Sequence, residues 1–269
     1  MAAAPDNRSD PMSFGEHLDA LRPHLLRSAG VVVLLLVVAF GCRTWLIDGL
    51  LFGPLRPDFP LNRLLAALGA YAPPELTLVN TTVAGQFNLH LSISFAAACV
   101  LGFPYLLGEL WRFVRPALTP GEQRVCRRCA GYVAAGFFAG LLFGYFVLAP
   151  LSIAFLTNSE ASAAIANLID VRSYLATVLN VTIACAVVFQ LPLLVWLLTR
   201  MGLLTPQLLL RYRRHALVAL AVLSAVITPP DLCSMVLLLL PLYGLYELSI
   251  GIARRVYRSG ESGSRDITQ

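Results

Sequence analysis

Residues 173–199 read SYLATVLNVTIACAVVFQLPLLVWLLT, which is 27 consecutive residues without Asp, Glu or Arg. A helix needs about 20 mostly apolar residues to cross the hydrocarbon core of a bilayer. Apolar and polar residues do not alternate here, as they would in a strand of a membrane barrel. The stretch therefore predicts a membrane-spanning α-helix.

Five further apolar runs occur along the chain, so we predict six spanning helices. They cover residues 25–47, 87–107, 130–150, 215–230 and 232–246. The last two are short and are separated only by Asp231. A run of 16 residues makes a helix of roughly 24 Å, whereas the hydrocarbon core is roughly 30 Å thick. We therefore expect a thinned bilayer or water beside the last two spans.

The composition supports an all-α integral membrane protein. Hydrophobic residues make up 58% of the chain and charged residues 13%, whereas soluble domains carry roughly 25% charged residues. This excludes a disordered chain, a secreted disulfide scaffold and a typical cytosolic enzyme. We expect one membrane domain over residues 1–258 and a disordered cytoplasmic tail, rich in Ser and Gly, over residues 259–269.

The arginines orient the six spans. All 20 basic residues are Arg, and the net charge is +5. In the six-span scheme 16 of them lie on the side that holds both termini, which leaves four on the other side: Arg43, Arg56, Arg63 and Arg172. Basic loops face the cytoplasm, so both termini are predicted to be cytoplasmic. The charge is an orientation signal and does not indicate binding to nucleic acid. On the outer side, residues 61–68 have the spacing of a short amphipathic helix.

Enzymatic sites are not indicated. A chain without Lys cannot form a P-loop, and no H-E-x-x-H motif or intramembrane pair of Asp is present. The lone C-x-x-C of Cys126 and Cys129 has no second pair, so we expect no metal and no cofactor. Two alternatives remain open. A secondary transporter of a small solute would show inverted repeats, and an intramembrane hydrolase would need a nucleophile.

Two polar residues are functional candidates by their position. Gln190 lies deep in the fourth span, where a polar side chain either joins helices of the chain or docks a partner helix. Glu122 follows Thr119 and Pro120 at a predicted helix start. It is either a capping residue or an exposed acid that accepts a guanidinium group from a partner.

Several segments, in this order along the chain, resemble the TatC family, and the resemblance covers residues 14–258. The segments are FGEHLDALR (14–22), FGPL (52–55), LWRFVRPAL (110–118), EQR (122–124), FVLAPL (146–151), MGL (201–203) with Arg213, and TPPD (228–231). Each segment alone is weakly specific. Their order on six predicted spans is highly specific.

The resemblance implies a fold and a function. The fold is a cupped bundle of six helices in the bacterial cytoplasmic (inner) membrane. The function is that of a signal-peptide receptor and scaffold of the twin-arginine translocase, which exports folded proteins with the proton-motive force. The implied partners are twin-arginine signal peptides, the single-span proteins TatA and TatB, membrane lipid and further copies of the chain.

The resemblance also assigns site residues. It implies that Glu122 is the principal acid for the signal peptide and that Gln190 contacts partner helices. It places Pro54 and Asp231 in functional outer loops. The remaining residues that we assign to signal-peptide binding are Asp19, Arg22, Trp111, Phe113 and Arg124.

Two positions depart from the family pattern. The family usually has an acid two residues before the Arg that corresponds to Arg22, but this chain has Ala20 there and Asp19 one residue earlier. One residue turns a helix by about 100°, so we expect Asp19 to face elsewhere. The second Arg of the signal peptide then needs Asp19 or Glu16, or it is held by backbone carbonyls and water. In the fourth span the family often has Glu, where Gln190 carries no ionisable group.

Overall fold

A computed structural model describes the backbone of residues 14–67, 78–114, 120–158, 168–200, 202–228 and 231–265. The described side chains exclude those of residues 14–20, 65, 114, 120–130, 158 and 257–265. The helices are α1 Phe14–Gly41, α2 Pro60–Ala67, α3 Gly85–Val114, α4 Pro120–Phe143, α5 Ala149–Asn158, α6 Val171–Val188, α7 Leu191–Arg200, α8 Pro206–Arg211, α9 Arg213–Ile227 and α10 Leu232–Arg265. Two π-helical segments (Trp45–Leu51 and Gly144–Leu148), one 3-10 helix (Gly53–Leu55) and the two-residue strands β1 (Leu78–Val79) and β2 (Ile169–Asp170) complete the described elements.

Five segments of the described chain are helical, long and apolar enough to cross a membrane. They are Leu21–Gly41, Gly85–Phe113, Gly131–Thr157, Val171–Arg200 and Leu232–Val256. These segments match five of the six predicted spans. The other predicted span corresponds to α9, which has 15 residues and is therefore roughly 22 Å long.

The last spanning segment is longer than the sequence predicts. We expected it to end at Tyr246, because Glu247 carries a charge. The structure continues α10 without interruption to Arg265, since Arg213 of α9 pairs with the Glu247 carboxylate at 2.6 Å. The expectation that this span is short was therefore wrong, and a short span remains only at α9. Residues 259–265, expected to be disordered, are also helical.

Helices α1 and α3 pack against each other in opposite directions. At one end His24 of α1 contacts Glu109 of α3. At the other end the ring of Phe40 stacks on His90, with 3.9 Å between the ring centroids. We call the end with His24 and Glu109 the arginine-rich end and the end with Phe40 the opposite end.

Three glycines on one face bring α4 and α6 into close contact. Gly136 and Gly140 of α4 and Gly144, the first residue of the π-helical segment that continues α4, recur at a spacing of four residues. This spacing places them on the same side of the continuous helix. A Cβ atom on Gly140 would lie 2.7 Å from the carbonyl oxygen of Cys185. A Cβ atom on Gly144 would lie 2.9 Å from the Cα atom of Thr182. Small residues let the two backbones approach in this way in membrane bundles.

The segment after α1 folds tightly at the opposite end. Helix α2 confirms the predicted short helix over residues 61–68. Asn62 of α2 is buried, and its side-chain amide donates to the carbonyl oxygens of Pro54 and Arg56 at 2.9 and 3.0 Å. The Tyr174 hydroxyl of α6 donates to the Leu51 carbonyl at 2.7 Å. This segment is therefore fixed to the bundle by buried hydrogen bonds.

A short parallel bridge joins β1 and β2 at the opposite end, where Val79 pairs with Asp170. The Asp170 carboxylate accepts the Thr81 hydroxyl and the backbone N–H of Arg172, and so caps the start of α6. These hydrogen bonds, the one from Thr81 first, hold the pKa of Asp170 below its usual value. The sequence did not predict the bridge, because each strand has only two residues.

We expect Gly140→Ala to destabilise the protein by about 1–3 kcal/mol, the usual cost of overpacking a well-packed contact. The new methyl group would collide with the backbone of α6, which cannot rotate away as a side chain can. Gly131→Ala on the same helix is the matched control, because nothing lies within 4 Å of its Cβ position. Thermal unfolding in detergent measures both, and equal midpoints would contradict the close contact.

We expect the stability of the protein to fall at acid pH partly through Asp170. The folded pKa is depressed, so its contribution is complete above the unfolded value of about 3.9 and is lost as the pH falls through the folded value. Asp170→Asn retains the helix cap but has no charge to titrate. Below about pH 4 the melting temperature of the wild type should fall more steeply than that of this variant. Parallel profiles would show that Asp170 does not contribute.

Candidate functional site

A buried carboxylate lies at the arginine-rich end, between the start of α1 and the end of α3. Glu109 is only 2% exposed, although it is an acid near the end of a spanning helix. Its Oε2 atom lies 2.6 Å from Nδ1 of His24. Its Oε1 atom accepts from Nη1 of Arg112 at 2.7 Å. The carboxylate is thus held by one group from each of the two helices.

Two aromatic side chains complete the surroundings of this carboxylate. Tyr105, one helical turn before Glu109, forms a further hydrogen bond with it. The ring of Phe113 packs edge-on against His24, with 6.2 Å between the ring centroids. The site therefore combines an anion, two nitrogen donors and an aromatic edge in one place.

Three of the predicted signal-peptide residues lie at this end with their side chains described. Trp111 and Phe113 are half-buried in the last turns of α3, and Arg22 is exposed on α1, two residues before His24. Asp19 belongs to α1, whereas Glu122 and Arg124 belong to the first turns of α4. The side chains of these last three residues lie outside the described part of the chain.

Chain connectivity brings the start of α4 to the same end. Five residues separate Val114 of α3 from Pro120 of α4, which limits the distance between these two Cα atoms to roughly 20 Å. Glu122 is the third residue of α4. The backbone that carries Glu122 therefore begins at the end of the bundle that holds Glu109.

Pro23 supplies a backbone acceptor at this end. It lies inside α1, and proline has no N–H to donate to the carbonyl four residues earlier. The carbonyl oxygen of Asp19 therefore lacks its intrahelical donor. A backbone carbonyl of this kind is an acceptor for a guanidinium group, as the sequence analysis anticipated.

Gln190 lies at a break in the fourth spanning segment. Phe189 and Gln190 separate α6 from α7. The Gln190 amide nitrogen donates to the Ala186 carbonyl at 3.4 Å and lies 3.6 Å from the Cβ position of Gly136. This side chain therefore contacts α4 within the chain.

Pro54 and Asp231, which the sequence analysis assigns to outer loops, both stabilise the opposite end. Pro54 is buried, and its carbonyl accepts from Asn62. Asp231 is 4% exposed and caps α10 through the backbone N–H of Ser234. The second carboxylate oxygen of Asp231 is buried and has no hydrogen-bond partner within the described part of the chain.

The sequence analysis missed Glu109, His24 and Asn62. Glu109 directly follows a long apolar run and precedes Arg112 by three residues, a spacing that pairs side chains on a helix. This was the available signal for the Glu109–Arg112 pair. The contact with His24 depends on how α1 and α3 align, which local sequence does not encode.

Comparison with known proteins gives the family. The family model described as Sec-independent protein translocase protein (TatC) matches residues 16–241. The chain belongs to the TatC family. The TatC protein of Blattabacterium sp. subsp. Periplaneta americana is 32% identical over 257 residues, which are 92% of this chain and 97% of the relative. The TatC protein of Deinococcus radiodurans is 33% identical over 257 residues, which are 95% of this chain and 90% of the relative.

Solved structures agree with this family. A crystal structure of the twin arginine translocase receptor TatC superposes with a TM-score of 0.68 at 28% identity, over 90% of this chain and 100% of that one. A crystal structure of TatC in DDM gives a TM-score of 0.70 at 27% identity, over 88% of this chain and 99% of that one. As a TatC protein, the chain is a component of the Sec-independent, twin-arginine translocase and an integral inner-membrane protein.

Proposed function

We propose that this protein is the signal-peptide receptor and scaffold of its twin-arginine translocase. The similarity to the solved TatC receptor over 90% of the chain carries the proposal. The buried carboxylate and the aromatic residues at the arginine-rich end supply a chemistry suited to guanidinium groups. In this proposal the protein binds and positions its partners and catalyses no covalent step.

We propose that the arginine-rich end faces the cytoplasm, together with both termini. The 16-to-4 distribution of Arg supports this orientation. It requires α9 to be the sixth span, so that the helices form the cupped TatC bundle. Because α9 is short, Arg213 and Arg214 at its start would extend toward the interface, and the bilayer would be thinner beside it.

Glu122 is the principal contact of the twin arginines in this proposal. A carboxylate and a guanidinium form a bidentate, charge-assisted pair that the ammonium group of Lys does not reproduce. Trp111 and Phe113 lie beside this region, and aromatic faces attract guanidinium groups. We assign Asp19, Arg22 and Arg124 to the same binding site. The Asp19 carbonyl is an additional acceptor.

The bundle has an exposed apolar surface on which the helices of single-span partners can pack. The outer face of α1 is apolar along most of its length: Leu25, Leu26, Val33, Leu34, Val37 and Val38 are each more than half exposed. In a membrane this face contacts lipid or another helix. We propose that TatA and TatB dock on the bundle with Gln190 as one contact. Further copies of the chain join the receptor complex, and the proton-motive force drives export.

The proposed function predicts selective peptide binding. In detergent at fixed salt, we expect a peptide with Arg-Arg before an apolar segment to bind at least tenfold more tightly than its Lys-Lys twin. A hydrogen bond to a charged group contributes roughly 1.5–3 kcal/mol, which corresponds to one to two decades in affinity. Glu122→Gln should remove most of this preference.

Glu247→Gln is the matched control, because it removes the same charge from a carboxylate that pairs with Arg213. It should leave the preference unchanged. Equal affinities of the wild type for the two peptides would contradict the proposed function.

We expect Gln190→Leu to weaken crosslinking to TatA or TatB helices and to leave signal-peptide binding near normal. Leucine has a similar size but cannot form a hydrogen bond to a partner helix. Site-specific crosslinking and peptide affinity are measured on the same preparation. An equal loss of both would assign Gln190 to packing against α4 alone.

A further inference from the structure

We propose that Glu109 is the second carboxylate of the twin-arginine site and that one guanidinium of the signal peptide displaces Arg112 from it. Glu109 has this role only if the proposed function holds, because the proposal adds a contact to that site.

The burial of Glu109 explains why it always needs a cation. A buried carboxylate is costly unless it is paired and hydrogen-bonded. His24 supplies one partner from the protected side and is 22% exposed. Arg112 supplies the other and is 64% exposed. His24 is therefore a fixed part of the interface between α1 and α3, and the Arg112 guanidinium approaches from the solvent side.

The contact with Arg112 shows that Glu109 accommodates a guanidinium. The Arg112 Nη1 atom lies 2.7 Å from Oε1 of Glu109. A signal-peptide Arg presents the same group, so the exchange leaves the net charge around Glu109 unchanged. Arg112 is mostly exposed, so its guanidinium returns to water when the guanidinium of the peptide takes its place on the buried carboxylate.

The number of carboxylates favours Glu109 over other candidates. Two arginines call for two acids, and Glu122 accounts for one. Among the described acidic side chains, Glu109 and Glu247 lie at the arginine-rich end, and Glu247 is paired with Arg213 between α9 and α10. Ala20 lies one helical turn before His24 and on the same face of α1. Because alanine has no carboxylate, this position contributes no acid.

The alternative is that Glu109 only clamps α1 to α3. A clamp affects stability and weakens binding of every peptide to the same degree. A direct contact with the signal peptide instead couples Glu109 to one particular arginine. A double-mutant cycle between the protein and the peptide measures this coupling.

The experiment uses the full-length protein in detergent at fixed salt. The probes are an Arg-Arg signal peptide and two variants in which one or the other Arg is replaced by Gln. The proteins are the wild type, Glu109→Gln, Glu122→Gln and, as the matched control, Glu247→Gln. In the wild type and in the control, each peptide substitution should weaken binding at least tenfold.

The expected result is that Glu109→Gln abolishes the effect of one Arg and retains the effect of the other. Glu122→Gln should show the opposite pattern. If both arginines retain their full effects in Glu109→Gln, the proposal is overturned. In that case the Glu122→Gln cycle still reports on the proposed function. If the wild type responds to neither substitution, the proposed function itself fails.

Two further variants test the exchange and guard against misfolding. Arg112→Gln removes the competing guanidinium, so Arg-Arg peptide affinity should rise several-fold. A fall would overturn the exchange. If Glu109→Gln does not fold, Glu109→Asp is used in its place. Aspartate keeps the negative charge on a side chain that is shorter by one methylene group. It should weaken the coupling to one arginine, and equal weakening of both would overturn the proposal.

Discussion

An anion at the edge of a membrane bundle stays charged only while cations accompany it, and this requirement organises the arginine-rich end. Glu109 satisfies it with the guanidinium of Arg112 from α3, and it also contacts His24 of α1. The His24 contact fixes the start of α1 against the end of α3. The residues assigned to signal-peptide binding on these two helices are positioned by that contact. The same requirement joins α9 to α10 through Arg213 and Glu247.

The rest of the bundle supports this end by close packing. The glycines of α4 let its backbone approach α6 so closely that a methyl group at Gly140 would collide with the backbone of α6. At the opposite end, Asn62 and Tyr174 bind carbonyl groups of the segment after α1. Backbone groups inside a membrane need such internal partners. The two ends therefore differ: hydrogen bonds to backbone groups stabilise the opposite end, and the arginine-rich end presents charged side chains.

The sequence predicts the features that depend on local composition. Long apolar runs identified five spanning segments, and amphipathic spacing identified α2. Predictions from local composition were wrong or incomplete where a residue distant in sequence pairs with an acidic side chain and lowers the free-energy cost of its position. The sequence alone ends the last span before Glu247, because the partner of this carboxylate, Arg213, lies 34 residues earlier. Glu109 was missed as a site because His24 lies 85 residues away. The family resemblance identified Glu122, whereas neither composition nor spacing distinguishes it from a capping residue.

The location of the bound twin arginines tests the central claim most directly. A signal peptide with a photoreactive residue beside its Arg pair can be crosslinked to the full-length protein, and the crosslinked residues identified by mass spectrometry. The account predicts crosslinks within residues 22–27, 105–113 and 120–124, suppressed by excess Arg-Arg peptide and not by excess Lys-Lys peptide. Crosslinks within residues 45–67 or 169–174 at the opposite end, or equal suppression by both peptides, would contradict it.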